Sequence, residues 1–411
     1  MPAMKQRRPL AALLAASVLL ALPAAADDAA ADDPALTGGL EPVNTRGTVV
    51  FSWDLEQKRA GFRRMETLFP ASTVAAAPTP RALPAGPPLA AFEAGAALAT
   101  ELEAFLARQH VAGLLVLQGG QLRLERYGLG HSPADRWTSF SVAKSITSTL
   151  VGAAIRDGYI GSLDDDITDY IEDLRGSAYD GVTVRQLMTM TSGVAFDEDY
   201  SDPESDIMKL YGAAPPTDMD ATVAFMRNME REAEPGTLWR YKTPETNLAG
   251  VLVMNATGRS LSTYLAEEIW RPYGMELDAT WLTDDIGNEQ GGCCLQVGLR
   301  DYARFGQFIL DGGMIAGKPV LPDGWLELAT SPQVDTGFPG GYGFQWWPLG
   351  DGTFQARGIF GQLIHIDPAR ELVIVISAAW PEASEQERRA AQIRLARQIA
   401  AAIDAEAPAA N

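Results

Sequence analysis

Two strand-like blocks lie far apart in this chain, with a long helix-patterned block between them. The first block, VAGLLVLQGGQLRLERYG at 111–128, places two apolar or alternating runs around Gly119-Gly120. That turn needs positive φ angles, which glycine adopts cheaply, so the stretch predicts a β-hairpin. The second comprises YGFQWWPLGDGTFQARG at 342–358 and IFGQLIHIDPARELVIVISAAW at 359–380. It predicts successive antiparallel strands, turning at Gly350-Asp351-Gly352 and at Asp367-Pro368-Ala369-Arg370. In between, SITSTLVGAAIRDG, VTVRQLMTMTSG, DMDATVAFMRNME and SLSTYLAEEIW repeat apolar residues at three-to-four spacing. A charged, alanine-rich helix, SEQERRAAQIRLARQIAAAIDA, closes the pattern. The order predicts an α/β (α+β) fold in which one antiparallel β-sheet, built from both ends of the chain and flanked by helices, carries an inserted all-helical domain.

The domain boundaries expected from this pattern are 97–140 plus 281–411 for the sheet domain and 141–280 for the helical domain, with the site between them. Residues 27–96, rich in Ala, Pro and Gly, read as an extended lead-in with little core of its own. The aromatic residues of VNTRGTVVFSWDLEQKRAGFRRMETLFP are expected to lie partly against the main body. An acidic, Pro-containing stretch, FDEDYSDPESDIMKLYGAAPPTD, reads as a long loop of functional use.

The first 26 residues combine a basic start (Lys5, Arg7, Arg8), an apolar run too short to span a bilayer, and a small-residue site at Ala24-Ala25-Ala26. This is the layout of a secretory signal peptide and predicts an exported protein, periplasmic or secreted, with no stable membrane insertion. Loss of the leader removes three positive charges and no negative ones, taking the formal net charge from −20 to about −23. Nucleic acid and anionic membrane surfaces are therefore disfavoured partners. The chain has only two cysteines, the adjacent Cys293 and Cys294, and three scattered histidines, His110, His131 and His365. No metal-binding spacing is present, and neither a metal nor an organic cofactor is expected. The cysteines read as free buried thiols, with a vicinal disulfide as the alternative in an oxidising compartment.

One stretch carries chemistry. In WTSFSVAKSITSTL, Ser141 stands three residues before Lys144. At that spacing the two side chains share one face of a helix. A serine hydroxyl becomes nucleophilic when a base accepts its proton, and a lysine can be that base when burial lowers its pKa. The alternative is a helix-capping serine beside a surface lysine. Gly-x-Ser-x-Gly, the mark of a Ser/His/Asp hydrolase on an α/β-hydrolase fold, is absent. Tyr241, in PGTLWRYKTPETNLAG, follows a Pro-Gly turn and precedes a helix, where a phenol could move a proton. In ARGIFGQ, Gly358 would allow close approach of a strand edge and an N–H just after it could point into the site, although these glycines also fit a β-bulge.

The ordered set SFSVAKS, VTVRQLMTMTSGV, WRYKTPETNLAG, RDYARFGQFILDGG and GIFGQLIHIDP resembles the serine β-lactamase and penicillin-binding-protein superfamily. Within it, the set is most similar to the branch of class C β-lactamases, carboxylesterases and 6-aminohexanoate-dimer hydrolase. The resemblance implies a β-lactamase/transpeptidase-like fold and a serine hydrolase cleaving a small-molecule ester or amide. It implies Ser141 as the acylated nucleophile, Lys144 as its base, and Tyr241 as the proton donor to the leaving group. The backbone N–H groups of Ser141 and Ile359 would form the oxyanion hole. Tyr200, Thr243 and Gly358 are the implied substrate-contacting positions, with acidic neighbours of Tyr200 receiving an amine-bearing substrate end. The segment GGCCLQVGLRDYARFG is implied to approach the site. Two departures bear on substrate: Ala356-Arg357-Gly358 stands where relatives carry Lys-Thr-Gly, and Thr243 stands where they carry asparagine. Both weaken a β-lactam reading and fit the esterase and oligoamide-hydrolase branch. A β-lactamase or D,D-peptidase, or a non-catalytic penicillin-binding-like module, is the alternative.

Overall fold

The structure, a computed structural model, describes residues 47–212 and 218–406. The expected leader and the first part of the lead-in lie outside the described residues. Twelve strands follow in chain order: β1 (Ala71–Val74), β2 (Val111–Gln118), β3 (Gln121–Tyr127), β4 (Arg136–Thr138), β5 (Ala279–Leu282), β6 (Leu295–Gly298), β7 (Met314–Ile315), β8 (Lys318–Pro319), β9 (Trp347–Pro348), β10 (Phe354–Arg357), β11 (Leu363–Asp367) and β12 (Leu372–Ala378). Six of them form the main sheet in the order β3-β2-β12-β11-β10-β9. Every neighbouring pair in it is antiparallel. Gly119 and Gly120, at φ 54° and 71°, close the β2–β3 hairpin as their spacing predicts.

Strand parity sorts the central strands between two cores. Leu115 and Leu117 of β2, with Val373 and Val375 of β12, face the larger core shared with the helical block. Their neighbours Leu114, Val116, Ile374 and Ile376 face the opposite side, against the terminal helix Gln386–Glu406 and the helix Ala99–Arg108. With both faces covered, β2 is buried along nearly its whole length, so it reads as a continuous apolar run.

Two expectations are corrected. Residues 47–74 are not a plain extended lead-in. Asp54 and Gln57 form a capping box that starts the helix Leu55–Gly61. Trp53, Phe62, Met65 and Leu68 then build a third core with Trp137, Phe140 and Phe360. Phe62 packs edge-on against Phe140 with ring centroids 5.0 Å apart. β1 also joins a second, antiparallel sheet ordered β1-β5-β6-β4. The stretch gains this order because large aromatic rings bury far more apolar area than its Ala/Pro-rich surroundings suggest. The long acidic loop likewise contains a helix, Asp206–Gly212, whose Ile207 and Leu210 share one buried face.

The helix Val142–Arg156 runs through the middle of the molecule, buried from Val142 to Ala154. Its polar side chains are matched to loop carbonyls: Ser145 Oγ donates to Gln345 O at 2.7 Å, Thr147 Oγ1 to Gly291 O at 2.6 Å and Ser148 Oγ to Phe344 O at 2.8 Å. Buried hydroxyls need such partners, and these bonds lock the helix against the loops that surround its first turn.

Candidate active site

Ser141 occupies the N-cap position of this central helix, yet its side chain makes no capping hydrogen bond. The preceding Phe140 sits at φ 42°, a left-handed conformation costly for an L side chain and held here by packing against Phe62 and Phe360. The reading of a capping serine beside a surface lysine is thereby removed, because Lys144 is only 1% exposed.

The ammonium nitrogen of Lys144 lies 3.2 Å from Ser141 Oγ, 2.9 Å from Thr243 Oγ1 and 2.7 Å from Gly292 O. A neutral amine has two N–H donors and one lone pair. Gly292 O can only accept, and the Thr243 hydroxyl spends its own proton on Glu198. Both therefore take an N–H from Lys144, leaving the lone pair for the Ser141 proton. Burial lowers the Lys144 pKa to about 8, opposed by the negative charge of Glu198. Glu198 accepts from the Thr243 backbone N–H, from the Thr243 hydroxyl and from the Tyr200 hydroxyl. Burial pushes its own pKa up while Lys144 and these donors pull it down.

Burial, aided by the Glu198 charge and opposed by the Ser141 hydroxyl, holds the pKa of the Tyr241 phenol well above the ordinary value. It is thus a neutral O–H, able to give a proton. The Lys144 nitrogen lies 5.4 Å from its ring centroid. Trp347 stacks on the Tyr241 ring at 5.8 Å, and Arg357 lies over Trp347 at 5.1 Å while donating to Gln355 Oε1 at 2.7 Å. Arg357 thus supports the aromatic wall behind Tyr241.

Ile359 lines the same open cleft as Ser141, Tyr200 and Thr243. Among the described residues, neither the Ser141 nor the Ile359 N–H has a backbone acceptor. Two unpaired N–H groups at one cleft are suited to a developing oxyanion. Gly358 sits one step behind them: a Cβ there would meet Ser139 O at 2.5 Å, so only glycine lets the end of β10 close on the loop that precedes Ser141.

Tyr200 lines the cleft, with its ring 5.0 Å from Phe51 and its hydroxyl 3.5 Å from Thr243 Oγ1. The expectation that acidic neighbours of Tyr200 receive substrate is corrected for Glu198, whose oxygens are taken by Thr243 and Tyr200. None of the three histidines lines the cleft, and His365 instead faces Gln355 Nε2 at 3.1 Å. Cys293 and Cys294, expected as free thiols, are joined to each other and line the cleft. Local sequence carried no signal for Gly292 O as the third partner of Lys144. Lys242 and Glu245 form a buried ion pair, 2.8 Å apart, of which only the i,i+3 spacing is legible in the sequence.

Fold and site together define a serine hydrolase. The β-lactamase family model matches residues 98–398, and the chain belongs to that family. It is 31% identical over 378 residues to the 6-aminohexanoate-dimer hydrolase of Paenarthrobacter ureafaciens, covering 86% of this chain and 94% of that one. A solved Bacillus anthracis structure, described as a candidate 6-aminohexanoate-dimer hydrolase, is 26% identical with a TM-score of 0.76, over 89% of this chain and all of that one. A penicillin-binding protein from Bacillus halodurans superposes with a TM-score of 0.58 over 72% of this chain and 99% of its own; at 16% identity this likeness speaks to the fold alone.

The electrostatics predict a pH profile. Lys144 accepts a proton only when neutral, so kcat/KM should rise with pH through about 8. Glu198→Gln removes the charge that holds this pKa up, so the rising limb should move to lower pH. An unmoved limb in that variant would detach the profile from Lys144.

Proposed function

We propose that this chain is an exported hydrolase that cleaves an ester or amide through an acyl-enzyme on Ser141, of the carboxylesterase or oligoamide-hydrolase type. The observation that carries the reading is the Lys144 nitrogen, buried and poised at Ser141 Oγ with its other two positions occupied. Attack by Ser141 on the substrate carbonyl passes its proton to Lys144. The tetrahedral oxygen is held by the Ser141 and Ile359 N–H groups, and collapse expels the leaving group with a proton delivered through Tyr241. Water then attacks the acyl-enzyme through the same groups in reverse, restoring Ser141. Likeness to the 6-aminohexanoate-dimer hydrolase supports an amide substrate. The absence of Lys-Thr-Gly supports a substrate other than a β-lactam.

A fluorophosphonate probe followed by peptide mapping tests the reaction directly. The folded protein should form one adduct, on Ser141, and Ser141→Ala should form none. A folded wild-type protein that takes no adduct would sink the mechanism. Export is tested separately: the mature N-terminus from a producing cell should begin just after Ala26, and an intact leader would refute processing.

A further inference from the structure

Cys293 and Cys294, joined to each other, line the cleft beside Ser141. The acyl-transfer steps give them no role, but their place in the chain does. Gly292, the residue before the pair, presents the carbonyl that takes an N–H of Lys144 at 2.7 Å. Leu295, the residue after it, exchanges two hydrogen bonds with Ser139. Its N–H donates to Ser139 Oγ at 2.9 Å, and its carbonyl accepts from the Ser139 N–H at 2.8 Å. Ser139 stands two residues before Ser141. The ends of the span 292–295 thus hold the base and the loop that carries the nucleophile, and the joined cysteines are its middle.

Hydrogen bonds fix the backbone around the pair. Thr147 Oγ1 donates to Gly291 O at 2.6 Å, and the Gly292 N–H donates to Asn247 Oδ1 at 2.8 Å. Trp281 Nε1 donates to Cys293 O at 3.0 Å, and the Leu282 N–H donates to Cys294 O at 3.1 Å. A Cβ at Gly292 would meet Thr243 O at 2.7 Å, so the span packs directly on the start of the helix Thr243–Thr257. The bond between the two sulfurs adds a covalent constraint. It closes a small ring through the peptide unit that joins the cysteines, and that unit can no longer turn freely. Cys293 is half-buried in the cleft wall, where a small dithiol can reach it.

We propose that the Cys293–Cys294 disulfide is a positioning element for Lys144, acting through Gly292 O, and that a dithiol entering the cleft slows the enzyme by opening it. This rests on the acyl-transfer reading. In the exchange one thiolate of the dithiol attacks Cys293 Sγ and the bond between the cysteine sulfurs breaks. The second sulfur of the dithiol then displaces Cys293, forming a cyclic disulfide. Two electrons and two protons pass to the protein, which is left with two thiols. The released peptide unit can turn, and Gly292 O leaves its fixed place beside Lys144. Gly292 O and Thr243 Oγ1 together hold the amine so that its lone pair meets Ser141 Oγ, and the loss of one of them spoils that aim. A carbonyl accepting from lysine favours the charged form, so its withdrawal also lowers the Lys144 pKa. The ionisable groups facing Lys144 are Glu198 and Tyr241, and both lie outside the span.

The experiment follows the rate of fluorophosphonate labelling of Ser141 in oxidised wild type, in wild type opened with dithiothreitol, and in Cys293→Ser/Cys294→Ser. Intact mass after iodoacetamide counts the thiols in each. Opening the pair should slow labelling about tenfold or more, as a small misplacement of a catalytic group does. Reoxidation after the dithiothreitol is removed should restore the rate, which separates the effect from unfolding. The double variant should be slow with or without dithiothreitol. Its labelling rate should also rise at lower pH than that of the oxidised wild type. Serine does not ionise in this range, so that shift belongs to Lys144, and a mere loss of folded protein would not move it. Four results each overturn the proposal while Ser141 labelling leaves acyl transfer standing: two free thiols in the protein purified in air, a pair that dithiothreitol does not open, equal rates in both states, or an unmoved pH limb. Absence of labelling in the oxidised wild type overturns the underlying reading instead.

Discussion

Lys144→Met should lower kcat/KM by about 10²- to 10⁴-fold, the usual worth of a positioned general base. Methionine fills the same tube of space between the central helix and the helix Thr243–Thr257 but has no lone pair of comparable basicity. The Ser141 proton then has no acceptor at 3.2 Å, and attack must proceed from the un-ionised hydroxyl. The substitution also strands Gly292 O and Thr243 Oγ1, which lose donors at 2.7 and 2.9 Å. Each stranded buried acceptor costs about 1–3 kcal/mol, so steady-state rates should be read beside a denaturant melt. A rate loss under tenfold in a folded variant would show that another group takes the proton. The base and the leaving-group donor can be separated further: Tyr241→Phe should impair amides with poor leaving groups more than activated esters, which depart without protonation.

Lys242→Met should destabilise the protein by about 3–5 kcal/mol, the cost typical of removing one partner from a buried ion pair. Lys242 and Glu245 are 1% and 0% exposed and 2.8 Å apart. Lys242 Nζ also donates to Ser192 Oγ at 2.7 Å and Val194 O at 3.0 Å, and Ser192 Oγ donates to Glu245. The network pins the start of the helix Thr243–Thr257 to the loop at 192–194, with Tyr241 immediately before it. Without the lysine, a carboxylate remains inside the protein with its charge unmatched. The double variant Lys242→Met/Glu245→Leu should recover much of the loss, since a buried pair replaced by apolar groups is often near neutral. Equal destabilisation in single and double variants, measured by urea unfolding, would refute the pair as the cause. The double variant should still have a lower kcat, because Tyr241 is then less firmly placed.

Much of the fold was legible because its signals are local. Alternation around Gly119-Gly120, apolar residues at helical spacing, and the alanine-rich terminal helix each report one element's geometry, and the structure has all three. At 47–74 the aromatic residues do pack on the main body as expected, but the helices they order have no strong local signal. The composition of this stretch is loop-like on average, whereas its order depends on Trp53, Phe62 and Met65 meeting Trp137 and Phe360 from distant parts of the chain. The helix Asp206–Gly212 was hidden in a similar way: proline and acidic residues set the texture, and two apolar side chains decided the conformation.

The site divides along the same line. Ser141 and Lys144 share a face because helical geometry alone puts residues three apart side by side, and the order of the later motifs named the kind of chemistry. No window of sequence, however, states that Lys144 is buried, that Thr243 and Gly292 take two of its three positions, or that Ile359 lines the same cleft. Nor does any window show that Glu198 is occupied by Thr243 and Tyr200. Those outcomes depend on what surrounds each charge, and burial is a property of the packed molecule. The sequence by itself determined most of the elements, their order and the placing of Ser141 and Lys144 on one helix face. Only the tertiary structure decided that Lys144 is buried and which groups surround it, because a partner close in space can lie anywhere along the chain.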